Sequence, residues 1–129
     1  MPSAFVHVIE SPTPFDLLNG RTDGQEVCDE FGVAGIAHAL HVVADKEMLE
    51  IALRLRIATE SKRRGTAPAI EFTMYAEHSG LRLTSGELVA WEELQRMLIA
   101  VRDAQPNGVL MSFLRGKGGA LADLFVRSG

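Results

Sequence analysis

Apolar residues recur along the chain with two periods, and the way these periods alternate predicts an α/β fold. Short apolar runs of the kind found in buried strands occur at 5–9, 37–43, 69–75 and 109–113. Helical spacing predicts helices at 25–33, 46–62, 91–104 and 120–126. Strands that alternate with helices of this length indicate βαβ units around a mainly parallel sheet.

The helix at 46–62 has the clearest signals. Asp45 is placed to act as its N-cap. The helical spacing of the apolar residues Met48, Leu49, Leu53 and Ile57 predicts the side that faces the core. The segment 12–23 carries two prolines and two Gly turns, which predicts a long loop.

The predicted fold is one α/β domain over 1–129, a three-layer sandwich with about four strands in the order 2-1-3-4. This order is flavodoxin-like. A small β-hairpin is expected after strand three, with Ser85-Gly86 as its turn, and the helix that follows begins at Trp91. If the indole N–H of Trp91 is buried, it needs a hydrogen-bond partner.

Composition narrows the classes of function. The chain of 129 residues is 47% hydrophobic and 23% charged, with a net charge of −4, which is ordinary for a soluble domain. The basic run Lys62-Arg63-Arg64 predicts a solvated helix end, so no nucleic-acid partner is expected. No apolar window suits a membrane span, and the first residues lack signal-peptide features. These features and the single cysteine, Cys28, favour the cytoplasm.

In parallel sheets, the residues that bind ligands usually lie at the carboxyl ends of the strands. The carboxyl ends of the predicted strands bring Ser11, Tyr75–His78 and 112–116 to one edge of the sheet, where ligands of such folds bind. No cofactor is expected. The four histidines and the one cysteine do not have the spacing of a zinc site, so no metal is expected either.

The segment 70–94 resembles bacterial caspase-like proteases of the clan that includes caspases, metacaspases and CHAT-type peptidases. The matching residues are Gly80-Leu81-x-Leu83-Thr84 and Ala90-Trp91-x-x-Leu94, in which x marks positions that do not contribute to the match. The segment 11–24 is similar to the loop after strand one in the same group. The resemblance implies a caspase-like fold with a His/Cys catalytic dyad at the ends of strands three and four.

In this register the dyad is missing. Tyr75 stands where the family has its histidine, and Leu114 stands where it has its cysteine. Tyrosine, with a reference pKa of about 10, does not replace histidine as a base at neutral pH, and leucine is no nucleophile. The leading prediction is therefore a catalytically inactive caspase-like domain, a pseudo-protease that acts as a binding or regulatory module.

Two alternatives stay open. The first is a cysteine or serine hydrolase with a rearranged site, in which His78 acts with Ser112 or Cys28. The second is an anion or small-ligand sensor at the carboxyl edge of the sheet, with Arg21, Glu77 and Arg115 as its ligand-binding residues.

A partner is expected at the sheet edge. A sheet of about four strands leaves strand two or strand four with unpaired backbone groups, which are a template for pairing with another chain. The family resemblance implies that this partner is a second copy or another protein.

Overall fold

The computed structural model describes residues 5–20, 22–64 and 68–105, together with the backbone of 111–117. The strands of one sheet are β1 (Phe5–Ser11), β2 (Ala37–Val42), β3 (Pro68–Glu77), β4 (Gly80–Arg82), β5 (Leu88–Ala90) and β6 (Met111–Lys117). The helices are α1 (Pro14–Asn19), α2 (Asp23–Ala34), α3 (Lys46–Ile51), a π-helix (Ala52–Ile57), α4 (Ala58–Arg64) and α5 (Trp91–Asp103). The predicted helix at 120–126 and residues 109–110 of predicted strand four lie outside the described residues.

The α/β class predicted from the sequence is confirmed, and the description of the sheet needs correction. The sheet has six strands and is mixed, where about four mainly parallel strands were predicted. Strands β2, β1, β3 and β6 lie side by side in parallel, and β4 and β5 continue from β3 in antiparallel pairing. The correction arises because the predicted hairpin joins the sheet at the far end of β3.

Helices cover both faces of the sheet. On one face Val27 and Cys28 of α2 pack against Val8. On the other face a larger core joins the α3–α4 segment and α5 to β1, β3 and the hairpin. Its members include Ile9, Leu49, Leu53, Ile57, Ile70, Phe72, Leu94 and Leu98.

The Asp45 N-cap is confirmed, since its Oδ1 accepts the N–H of Met48 at 2.8 Å. The Met48 side chain was placed in the core wrongly, because it is 43% exposed. Its neighbour Leu49 takes the core position, because helical spacing puts Leu49 on the same face as the buried Leu53 and Ile57.

The helix predicted at 46–62 reaches Arg64 and contains a π-helical segment, Ala52–Ile57, that periodicity did not indicate. The predicted loop at 12–23 contains α1, which begins after the Thr13 cap with Pro14 in its first turn. Thr13 Oγ1 accepts the N–H of Asp16 at 3.1 Å. Both departures follow from local hydrogen bonding that apolar periodicity does not report.

Candidate functional site

A groove of about 430 Å³ lies at the carboxyl ends of β1 and β3, the edge at which the sequence places its chemistry. Its walls are the loop 11–14, Tyr75 of β3, and the hairpin residues 82–86. Tyr75 is 38% exposed here, so its ring contributes to the accessible surface of the groove.

Hydrogen bonds fix one rim of the groove. Ser11 Oγ accepts the backbone N–H of Thr84 at 2.8 Å and lies 3.1 Å from Thr84 Oγ1. Thr84 Oγ1 donates in turn to the carbonyl of Pro12, so the Ser11 hydroxyl donates to Thr84. The hydroxyl of Ser11 is therefore committed to structure and is not placed as a nucleophile.

The corner residues have separate roles. Glu77 receives two hydrogen bonds from Arg82, one of them 3.0 Å long, and these hold the pKa of the Glu77 carboxyl below its usual range. The carbonyl of His78 accepts the indole N–H of Trp91 at 2.9 Å, which provides the partner that Trp91 was expected to need. The His78 side chain is exposed in the turn after β3.

The backbone register of β6 places the predicted dyad positions. Leu114 lies opposite Phe72, whereas Lys117 lies opposite Tyr75. The positions of Tyr75 and Leu114 are thus offset by three residues, or about 10 Å along the strands. Side chains of β6 lie outside the described residues, so only the register bears on this prediction.

The same register separates the pair needed for a hydrolase. Ser112 lies opposite Ile70, and His78 follows the far end of β3. At about 3.3 Å per residue, more than about 20 Å of strand separates the two levels. Arg115 lies opposite Thr73, with its side chain outside the described part, and Arg21 is itself not among the described residues.

Cys28 packs as a small apolar side chain on α2. It is 6% exposed, beside Val8 and Val27. Burial raises the pKa of the Cys28 thiol, and the nearby carboxylates of Asp29 and Glu10 act in the same direction. A thiol in this state is a poor nucleophile at neutral pH.

A buried carboxylate that the sequence did not single out joins β1 to α2. Glu10 Oε2 accepts the N–H of Gly24 at 2.8 Å and so caps the N-terminus of α2, where the Thr22 side chain makes no capping bond. A Cβ at Gly24 would lie 2.6 Å from Glu10 Oε1. Glu10 Oε1 and Thr73 Oγ1 are buried and have no hydrogen-bond partner among the described residues, and these two residues are paired across β1 and β3. Glu10 and Thr73 lie close to the strand ends that line the groove. The only sequence signal for this buried carboxylate is a glutamate directly after an apolar run.

The edge strand β2 presents free backbone groups. Within the described part of the chain β2 pairs with β1 alone. Val43 donates its N–H to Glu10 O at 2.8 Å, so Val43 and every second residue before it face β1. The N–H and C=O groups of His38, Leu40 and Val42 therefore point away from the sheet.

An apolar stripe borders this edge. It comprises four side chains that are 41–57% exposed: Val42, Met48, Ile51 and Leu55. A shallow cavity of about 410 Å³ beside them is lined by Leu40–Val43, Met48, Ile51, Ala52 and Arg56. We call these four exposed side chains the apolar stripe.

Two histidines meet beside the π-helix, and sequence reasoning missed them because they lie 34 residues apart. His7 Nδ1 lies 3.2 Å from His41 Nε2, and the rings stack with centroids 5.4 Å apart. Burial, followed by the charge of His41, lowers the pKa of His7 to about 4. Burial and the charge of Arg56 lower the pKa of His41.

No protein-family model matches the chain, and no curated protein matches it. Among the described residues, no three histidine, cysteine, aspartate or glutamate side chains gather as a metal site would require. Within the same ranges, no helix has the length and apolar character to span a bilayer.

Proposed function

We propose that this chain is a non-catalytic, caspase-like binding domain that pairs with a second copy of itself through the free edge of β2. The observation that carries the pairing is an edge strand that, within the described ranges, pairs on one side only and lies next to an exposed apolar stripe. Edge strands of soluble proteins are usually blunted by charged residues, proline or bulges. The β2 sequence Ala-His-Ala-Leu-His-Val contains no proline and no Asp, Glu, Lys or Arg.

The outward groups fit antiparallel pairing with an identical strand. Two residues directly opposite each other exchange hydrogen bonds only if both point their backbone groups toward the partner strand. With Leu40 opposite Leu40 of the second copy, His38 stands opposite Val42, and all these residues are the outward-pointing ones. This two-fold arrangement makes about six backbone hydrogen bonds.

The apolar stripe adds the hydrophobic part of the interface. Its residues on α3 and the π-helix flank β2, so a second copy placed at the edge covers them as well. Full burial of a side chain of this type contributes about 1.5–3 kcal/mol, and these start about half exposed. The stripe on both copies therefore contributes several kcal/mol in favour of association.

The non-catalytic part of the proposal is supported by the state of the candidate nucleophiles. Ser11 is committed to Thr84, and Cys28 is buried with a raised thiol pKa. No hydrogen bond among the described residues joins a serine, threonine or cysteine to a histidine. The Tyr75 and Leu114 substitutions, taken from the family resemblance, agree with this reading.

The two alternatives have less support. The hydrolase with His78 needs Ser112 or Cys28 within hydrogen-bond reach, and neither is brought there by the register or by α2. The sensor with Arg21 and Arg115 stays a prediction, because those side chains lie outside the described residues. In addition, the Glu77 carboxylate already forms an ion pair with Arg82.

Sedimentation velocity over a range of protein concentrations tests the pairing. We expect the wild-type chain to sediment as a dimer, and Leu55→Glu and Val42→Pro to sediment as monomers. Val42→Pro removes an outward N–H and spares the ladder to β1. Leu18→Glu is the matched control, because Leu18 is 86% exposed on α1, outside the apolar stripe, and this variant should stay dimeric.

Circular dichroism of each variant establishes that it is folded before its mass is interpreted. A wild-type chain that remains monomeric at high concentration contradicts the pairing. So does a loss of the dimer in Leu18→Glu equal to that in Leu55→Glu, because the effect would then come from added charge alone.

A further inference from the structure

A cavity of about 470 Å³ lies between the strands β1 and β2 and the helical segment that contains the π-helix and α4. It is distinct from the groove at Tyr75 and lies on the sheet face that α3 and α4 cover. The lining residues that matter for its chemistry are Phe5, His7, His41, Leu55, Arg56 and Arg64.

The arginines give this cavity a positive charge. Glu60, the carboxylate that lines it, accepts hydrogen bonds from Arg63 at 2.8 Å and from Arg64 at 2.7 Å. Both partners hold the pKa of Glu60 below its usual range. Arg56 forms no ion pair with any described residue, so its guanidinium remains available to an anion.

One wall of the cavity is apolar and aromatic. The guanidinium of Arg64 stacks over the ring of Phe5, with its carbon 4.0 Å from the ring centroid. The rings of Phe5 and His7 pack in an edge-to-face arrangement with centroids 4.9 Å apart, and Leu55, which also lines the cavity, is 57% exposed. Stacking on Phe5 fixes Arg64 without using all of its hydrogen-bond donors.

The His7–His41 pair supplies the remaining polar groups. One of the two facing nitrogens must donate and the other accept. One N–H of the pair is therefore used between the two rings and is not available to a ligand. When His41 takes up a proton, its Nε2–H donates to His7 and its Nδ1–H becomes free to donate to a ligand. His38 also lines the cavity, and its Nδ1–H donates to Ile36 O, so that nitrogen is not available to a ligand.

The π-helix is a second, independent sign of a binding site here. Isolated π-helical turns cost stability relative to the α-helix and occur often at functional sites. The segment Ala52–Ile57 contains both Leu55 and Arg56, two of the residues that line the cavity.

We propose that this cavity binds the oxyanion, phosphate or carboxylate, of a small organic molecule. Arg56 and Arg64 hold the charge, His41 donates a hydrogen bond, and Phe5 and Leu55 contact the organic part. Leu55 belongs both to this cavity and to the apolar stripe, so a second copy paired at β2 and a ligand would compete for it. The cavity and the pairing are tested by different measurements.

Binding is coupled to a proton. The groups that face His41 are His7 from β1, Arg56 from the π-helix and Glu60 from α4. An anion placed against Arg56 offsets the positive charge that disfavours protonated His41. The affinity for an anion therefore rises as the pH falls from 7.5 to 5.5, by at most about tenfold per pH unit for one proton.

The test follows the ring signals of His7 and His41 by NMR while phenyl phosphate, benzoate or neutral benzyl alcohol is added to the full chain. We expect saturable shifts with one or both anions, with a Kd of about 1 mM or tighter, and no matching response to the alcohol. A response to phenyl phosphate alone assigns a phosphate ligand, and a response to benzoate alone assigns a carboxylate.

Arginine variants decide whether the site is specific. Arg56→Gln should weaken binding by about tenfold or more, as loss of a charged hydrogen bond does. Arg54→Gln is the matched control, since Arg54 is exposed on the same π-helix but lines a different cavity, and it should leave affinity unchanged. Equal losses in the two variants, equal shifts with benzyl alcohol, or no shift with any probe would overturn the proposal.

Discussion

Acid should destabilise this protein through His7. The side chain is 1% exposed, and its pKa is lowered to about 4 in the folded chain, chiefly by burial, against 6.5 for an ordinary histidine. Between these two values the unfolded chain binds a proton that the folded chain does not. Stability from this group is complete above pH 6.5 and is lost progressively as the pH falls toward 4.

The size of the effect follows from the difference of 6.5 − 4 = 2.5 pKa units. At about 1.36 kcal/mol per unit, the full loss is about 3 kcal/mol, and about 2 kcal/mol of it falls between pH 7 and pH 5. This is a large part of the 5–15 kcal/mol that typically separates folded from unfolded domains.

The assay is urea denaturation at pH 7 and pH 5 for the wild-type chain and for His7→Gln, at one protein concentration. Gln keeps a hydrogen-bonding side chain and does not titrate. The wild-type chain should lose about 2 kcal/mol more than the variant over this interval. His41 also has a lowered pKa, from burial and Arg56, but it is present in both proteins and its contribution largely cancels.

His78→Gln provides the control, because it removes an exposed histidine from the turn after β3, away from the buried His7. Equal losses of stability in the wild type and His7→Gln would refute the argument. An NMR titration in which the His7 ring protonates near pH 6.5 would refute it directly.

Three further outcomes are expected. Leu98→Ala, at a fully buried position of α5, should lower the free energy of unfolding by about 2–5 kcal/mol, while Leu18→Ala at an exposed position changes it by less than about 0.5 kcal/mol; similar losses would place Leu98 outside the core. Gly80→Ala should cost at least about 2 kcal/mol in urea denaturation, because φ is 154° and the added Cβ would lie 2.0 Å from the carbonyl oxygen of Val89; wild-type stability would show that the hairpin relaxes. Broad cysteine- and serine-directed probes should leave the native chain unlabelled by intact mass, because Cys28 is buried with a raised thiol pKa, and a stoichiometric adduct at any residue would contradict a non-catalytic domain.

Local patterns were sufficient wherever a structure depends on neighbours in the sequence. The alternation of apolar periods predicts the α/β class, and the Ser85-Gly86 turn predicts the hairpin. Asp45 predicts the start of α3, because an N-cap acts within one turn. The inner face of α5 follows from its spacing of Leu94, Leu98 and Val101 for the same reason.

Periodicity was less informative where several residues satisfy the same pattern. Met48 and Leu49 are adjacent apolar residues that both fit the predicted inner face of the helix, and only packing decides that Leu49 enters the core. The number of strands in the sheet was underestimated because the hairpin was predicted but its pairing with the end of β3 was not, since that pairing depends on how the hairpin packs.

The candidate sites were less predictable, because they join residues that are far apart in the sequence. Glu10 meets Gly24, and His7 meets His41, through contacts that exist only once β1 is packed against α2 and β2. The offset of Leu114 from Tyr75 is a matter of strand register, which the residues of β6 do not encode by themselves. The sequence alone determined the class of fold and most of the elements, though not α1 or the π-helix, since those it determined depend on local spacing and caps. Tertiary structure decided that β2, one of the two edges expected from the sequence, pairs on one side only within the described residues. It alone decided the positive cavity beside the π-helix and the burial of His7, since these depend on which distant surfaces exclude water.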